Sequence, residues 1–237
     1  MRNKAIFLAT TAVALVLMGT PAKADGLYVS AFGGLNFQSG SSGSQTSGSE
    51  TTVFTEDADT GFVIGGAVGT ELQRWVQGLR AEMEVSYRRN DRGGSHEFFY
   101  GTFDPAEGPI NGNLSNFSVL ANIWYEFDIG SKFRPYVGGG AGWARSNLEV
   151  ATPIASDPDN VTLAYGWDIA DEEESGFAFQ LGAGLNHPVA PGIDVGIGYR
   201  YFNGPNFDPI FVGKNSLPVG FDNENHSVLV NLTISTN

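Results

Sequence analysis

The segment LRAEMEVSYRR, Leu79 to Arg89, constrains this chain more than any other. Its odd positions are Leu79, Ala81, Met83, Val85 and Tyr87, and its even positions are Arg80, Glu82, Glu84, Ser86 and Arg88. Alternation with period two is the mark of a β-strand with two unlike faces. One face is oily and the other carries four charges. Either the oil fills a soluble core, or it meets lipid while the charges line an interior.

Seven further segments alternate: 26–37, 61–69, 116–129, 134–146, 176–186, 193–202 and 226–234. In the segment 61–69 both parities are apolar, so its facing is open. Short connections follow the second, fourth and sixth segments, around Gln73 to Gln77, at Gly130 to Lys132 and at His187 to Gly192. The other four connections, 38–60, 89–113, 147–175 and 203–225, are long. Short and long alternate throughout, so an up-and-down sheet would carry every short turn at one end and every long loop at the other. Long unstructured loops are uncommon in compact soluble domains but normal on one side of a membrane barrel. Loops 38–60 and 147–175 are rich in Ser, Gly and Thr or in acids, and read as solvated and mobile.

Three features place the oil outside. With odd strands running toward the long loops, the loop-side end of the oily parity carries Phe37, Phe62, Tyr87, Phe117, Trp143, Phe177 and Tyr201, while Tyr125 and Phe127 mark the other end. Rings gathered at two levels are the expected girdles of a membrane span. Volume agrees, because a small barrel has room inside for only a modest set of side chains. Gly138, Gly140 and Gly142 share the inward parity of one strand, with Trp124, Tyr136 and Phe202 to fill the gaps. The third is charge. A cation on the lipid face at mid-membrane costs roughly 2–4 kcal/mol. Arg80, Glu82, Glu84 and Arg88, with Glu126 and Arg200, are therefore expected in the lumen as a charge network. Arg80 and Arg88 would serve the two glutamates as strand neighbours, with Arg200 reaching across.

The first residues read differently. Arg2 and Lys4 precede an uncharged apolar run that ends in Ala22-Lys23-Ala24. This is the pattern of a secretory signal peptide over 1–24, leaving 25–237 as the barrel. Three of the 13 Lys+Arg and none of the 26 Asp+Glu precede Asp25, so the exported chain carries a formal charge of −16. Such a balance excludes the nucleic-acid binders, which need a basic face. Cysteine is absent, so stability cannot come from disulfides.

The GLYVSAFGG opening, SVLANIWYEF, RPYVGGGAGWARS and IDVGIGYRYF resemble the OmpA-like, opacity-type outer-membrane barrels of Gram-negative bacteria. The resemblance implies an all-β, transmembrane, eight-stranded antiparallel up-and-down β-barrel in the bacterial outer membrane, with periplasmic turns and extracellular loops. It also implies surface antigens, adhesins or envelope proteins rather than enzymes. Family barrels usually end on an aromatic, whereas this sequence ends at Asn237, and the peptidoglycan-binding module of larger relatives is not seen after the last strand.

Candidate chemistry is sparse. His226-Ser227 near the outer rim could belong to a lipid hydrolase, but no acid is fixed beside it, and a polar interface pair is the better reading. His187 is expected to face solvent, and single histidines such as His96 give no transition-metal spacing. Asp157-Pro158-Asp159 and Asp171 to Glu174 are read as hydrated loop rather than cation sites. No catalytic residue, metal or cofactor is expected. The expected partners are outer-membrane lipid and host or envelope ligands at the loops, with a monomeric barrel. A narrow pore for ions or small solutes is the alternative, and a lipid-modifying enzyme comes third.

Overall fold

The computed structural model describes residues 26–38, 41–47, 50–100, 106–152, 167–207, 210–212, 217–219 and 223–236. Residues 1–24, expected to be a leader, the acids Asp157 and Asp159, and Asn237 lie outside these. The described residues form β1 (Leu27–Gln38), β2 (Ser41–Ser47), β3 (Glu50–Ala58), β4 (Gly61–Glu71), β5 (Leu79–Tyr100), β6 (Ala106–Glu126), β7 (Arg134–Thr152), β8 (Trp167–Ala190), β9 (Ile193–Asn203), β10 (Ile210–Val212), β11 (Leu217–Val219) and β12 (Glu224–Ser235).

Eight strands close on themselves. Around the ring the order is β1, β4, β5, β6, β7, β8, β9, β12, every pairing is antiparallel, and β12 returns to β1. Closure leaves no unpaired edge around the ring, which a bilayer demands because it offers no water to exposed backbone groups. The short-turn end is built by glycines in the left-handed region: Gly78 (φ 81°), Gly130 (φ 69°) and Gly192 (φ 71°), one in each short turn. Only a residue without Cβ adopts that conformation without strain.

The oily parity faces out on every strand. Ile64, Met83, Ile123, Val137, Leu181, Ile197 and Val230 are exposed, while Glu84, Arg88, Asn122, Trp124, Gln180 and Arg200 are buried inside the ring. The undecided segment 61–69 is settled: Phe62, Ile64 and Val68 face out, and Val63 and Ala67 face in. Glycines on the inner face make room for large neighbours. A Cβ on Gly140 would lie 2.0 Å from Asn122 Oδ1, and one on Gly198 would lie 2.3 Å from the Tyr136 hydroxyl.

The long connections are where the structure departs from the sequence reading. Among the described residues they are largely β-structure, not loop. β5 and β6 stay paired from Leu79↔Tyr125 out to Phe98↔Ala106, and β7 and β8 stay paired out to Thr152↔Trp167. Within 38–60, β2 and β3 make a hairpin, and β3 pairs with β5 from Ala58↔Arg92 to Glu50↔Tyr100. Within 203–225, β10 and β11 form a small separate pair. Backbone pairing stays favourable beyond the lipid even where the side chains have lost their alternation. Pattern alone cannot see that.

Candidate functional site: the filled lumen and the protruding sheet

The lumen is filled in layers. At the short-turn end, Glu126 gathers Arg134 (3.1 Å), Arg80 (3.7 Å) and Asn186 (2.9 Å), and Arg134 also pairs with Asp194 at 2.6 Å. One layer up, Glu82 accepts hydrogen bonds from Trp124 Nε1 (2.7 Å), the Tyr28 hydroxyl (3.0 Å) and Asn122 Nδ2 (3.1 Å). At mid-height Glu84 Oε2 accepts from Arg200 Nη1 (2.7 Å), Asn122 Nδ2 (2.9 Å) and Gln180 Nε2 (2.9 Å). The Arg200 guanidinium also lies 4.3 Å over the Trp124 ring. Carboxylate and cation are both withdrawn from water here, so only close, multiply bonded geometry offsets their desolvation.

Two expected pairings take another form. Glu82 is held by neutral donors rather than by Arg80, which turns down to Glu126 and lies over the Tyr28 ring at 5.6 Å. Arg88 donates to Ser86 Oγ (2.9 Å), Ser118 Oγ (3.2 Å) and Gln180 Oε1 (3.4 Å), with its guanidinium 4.1 Å over the Phe202 ring. Arg80 meets Glu126 on the neighbouring strand β6, and Arg88, four residues from Glu84, is taken up by hydroxyl and amide oxygens instead.

Beside Arg88, Leu120, Ala144, Ala178 and Phe202 form an apolar cluster inside the ring, with Phe32, Val63 and Leu229 as a second cluster. The outer mouth holds a knot of amides. Asn36 Nδ2 donates to Asn225 Oδ1 (2.7 Å), Asn225 to Asn223 (3.0 Å), and Asn223 to Asn116 (2.7 Å), to Ser146 (2.8 Å) and to the Pro205 carbonyl (3.2 Å). Sequence analysis did not single out this knot: Asn36 and Asn116 lie on the inward parity of their segments, whereas Asn223 and Asn225 lie in the connection 203–225, where no alternation marks them. Leu120, Trp124, Phe202 and Leu229 are 0–2% exposed, so the interior is closed by packing at those levels. A cavity of about 30 Å³ beside Tyr28, Arg80, Tyr136 and Arg200 is sized for water, and a cleft of about 350 Å³ opens at the short-turn end.

The outward aromatics are where the parity puts them. Phe37, Phe62, Trp143 and Phe177 are exposed, Tyr87, Phe117 and Tyr201 are half-buried, and Tyr125 and Phe127 meet edge to face at 4.8 Å near the turns. Phe62 contacts Tyr87 at 6.1 Å and Phe179 contacts Tyr201 at 6.0 Å, so rings of neighbouring strands touch. His226 and Ser227 are divided by the pleat. The His226 ring is outside, 2.6 Å from the Tyr199 hydroxyl, whereas Ser227 is buried and donates to Asn36 Oδ1 at 2.6 Å. They cannot share a proton. His187 is half-buried against Phe133 at 4.8 Å rather than free in solvent.

A closed antiparallel ring with oil outside and buried charge inside defines a transmembrane β-barrel of the outer-membrane class. The chain belongs to the outer membrane protein beta-barrel domain family, whose model matches residues 7–231. It is similar to an outer membrane protein of Gluconacetobacter diazotrophicus, at 28% identity over the whole of this chain and 65% of that protein. It is also similar to the outer membrane protein PagN of Salmonella typhimurium, at 24% identity over 53% of this chain and 49% of that one. The chain thus spans less than two thirds of the length of both relatives. Among solved structures, Neisserial surface protein A aligns over 91% of this chain and 100% of its own, at 17% identity and a TM-score of 0.45. The protein is an outer-membrane β-barrel of the bacterial envelope, embedded in lipid.

Proposed function

We infer that this barrel is a non-enzymatic scaffold whose outer sheet presents a surface to the medium, a host or neighbouring envelope components. One observation carries the reading. The β5–β6 ladder continues eleven pairs past Tyr87↔Phe117, to Phe98↔Ala106. At about 3.3 Å per residue and a tilt of about 40°, that is roughly 28 Å of β-sheet beyond the outer aromatic level. β7–β8 extends likewise, and β3 with β2 braces the far side of β5. A paired sheet standing this far out of the membrane costs ordering entropy and adds nothing to insertion. Its use lies in what it displays. The filled lumen favours this over transport, and the separation of His226 from Ser227 favours it over lipid hydrolysis.

The test is a chain with 93–111 and 149–172 each replaced by a short turn, displayed on cells beside the intact chain. The trimmed barrel should still fold and migrate as a compact species on unboiled gels, while adhesion to host-cell or matrix surfaces disappears. Undiminished adhesion, or a steady single-channel conductance from the intact protein in planar bilayers, would overturn the reading.

A further inference from the structure

The short turns carry a feature that neither the barrel nor its outer sheet uses. Trp75 is 82% exposed in the turn 72–78, beside exposed Val76. Ile129 and Phe133 are exposed in the turn 127–133. Each turn also holds a cation next to its ring, Arg74 beside Trp75 and Lys132 beside Phe133. Among the described residues, neither cation has a carboxylate within 4.0 Å. The cations at the other end are matched: Arg89 pairs with Asp91 at 3.4 Å, and Arg145 pairs with Glu173. Two unmatched cations at one end of a chain of net charge −13 call for an anion from elsewhere.

Height says where that anion lies. From Tyr87 down to Leu79, and from Phe117 down to Tyr125, the strands span eight residue steps. At ~2.5 Å of height per residue this is about 20 Å, against an apolar band about 25 Å tall. The missing ~5 Å must come from the turns, so Trp75, Val76, Ile129 and Phe133 complete the band. Arg74 and Lys132, one position from these rings, then lie at the headgroup level. The turn 72–78 holds its shape by hydrogen bonds from Trp75 N and Val76 N to the Leu72 carbonyl (2.9 and 3.1 Å), so the ring and the cation are presented together.

We propose that the two turns form an inner-leaflet anchor, in which Trp75 and Phe133 enter the interface while Arg74 and Lys132 bind phospholipid phosphates. The occupant is the phospholipid of the periplasmic leaflet, because the apolar part of the patch is continuous with the lipid-facing barrel wall. The inference rests on the placement of the outer aromatics at the opposite interface.

The experiment uses the full chain folded in vesicles of phosphatidylcholine with and without phosphatidylglycerol. Trp75 emission, taken as the difference between wild type and Trp75→Phe, should be quenched more by lipids brominated near the headgroup than by lipids brominated deep in the chain. Spin-labelled phosphatidylglycerol should be preferred over spin-labelled phosphatidylcholine by about five-fold for each cation engaged. The preference should fall to unity in Arg74→Gln/Lys132→Gln, which leaves the barrel intact because both side chains are exposed and unpaired. Unquenched, water-like Trp75 emission with no lipid preference would overturn the anchor and leave the cations to a periplasmic partner. Met83→Trp is the control for the barrel itself. Deep quenching there with none at Trp75 removes only the anchor, whereas no quenching at either position removes the lipid-facing reading as well.

Discussion

The two halves of β5 are one continuous strand in two solvents. From Arg80 to Arg89 it pairs with β4, and its side chains divide into Met83 toward lipid and Glu84 and Arg88 into the lumen. From Arg92 to Tyr100 it pairs with β3, and RGGSHEFFY shows no division at all. The backbone does the same thing in both halves, and only the first half is patterned. Alternation is therefore a consequence of the one-sided apolar environment rather than of being a strand. In lipid, one misplaced charge costs several kcal/mol. In water, either face of a sheet can be polar, and pairing alone sustains it.

That contrast can be broken at three depths, and the largest effect is expected at the lumen. Glu84→Ala removes the carboxylate that Arg200 pairs with in a closed interior, and breaking such a pair costs about 3–5 kcal/mol. Urea unfolding in lipid vesicles, followed by tryptophan emission, should show the loss. Arg200→Ala combined with Glu84→Gln should recover part of what the single changes lose, with a coupling of at least ~1 kcal/mol for groups in direct contact. Strict additivity would mean that Arg200 is held by Trp124 and Phe32 rather than by Glu84.

Next comes the lipid face. Met83→Arg should cost roughly 2–4 kcal/mol near mid-membrane, and on unboiled gels the compact band should weaken. Met83→Leu keeps volume and polarity and should cost less than about 1.5 kcal/mol. Equal folding of Met83→Arg and wild type would reverse the facing of β5. Smallest is the outer sheet, where Arg145 and Glu173 form an ion pair with half of each side chain in water. Arg145→Ala should change stability by at most ~1 kcal/mol, and less in high salt. A larger loss would mean that the protruding sheet and the barrel unfold as one unit.

Much of this molecule was legible without coordinates. The eight membrane segments, their alternating turns and loops, and the inward facing of Arg80, Glu82, Glu84, Arg88, Glu126 and Arg200 follow from a period of two and the cost of charge in lipid. So does the outward facing of the aromatics from Phe37 to Tyr201. These are local properties, written within ten residues of each position. The upper strands escaped because water does not punish an unpatterned strand. The turn cations escaped because Arg74-Trp75 and Lys132-Phe133 lie outside any periodic segment.

Only the closed ring could decide who meets whom inside. Glu84 reaches Arg200 across 116 positions of chain and Gln180 across 96, while Arg80 turns from its own strand to Glu126. Which residues share a lumen layer depends on the tilt and stagger with which eight strands close. Those are properties of the whole ring, set by all the pairings together. A single strand determines which way its side chains point, and the barrel determines what they find there.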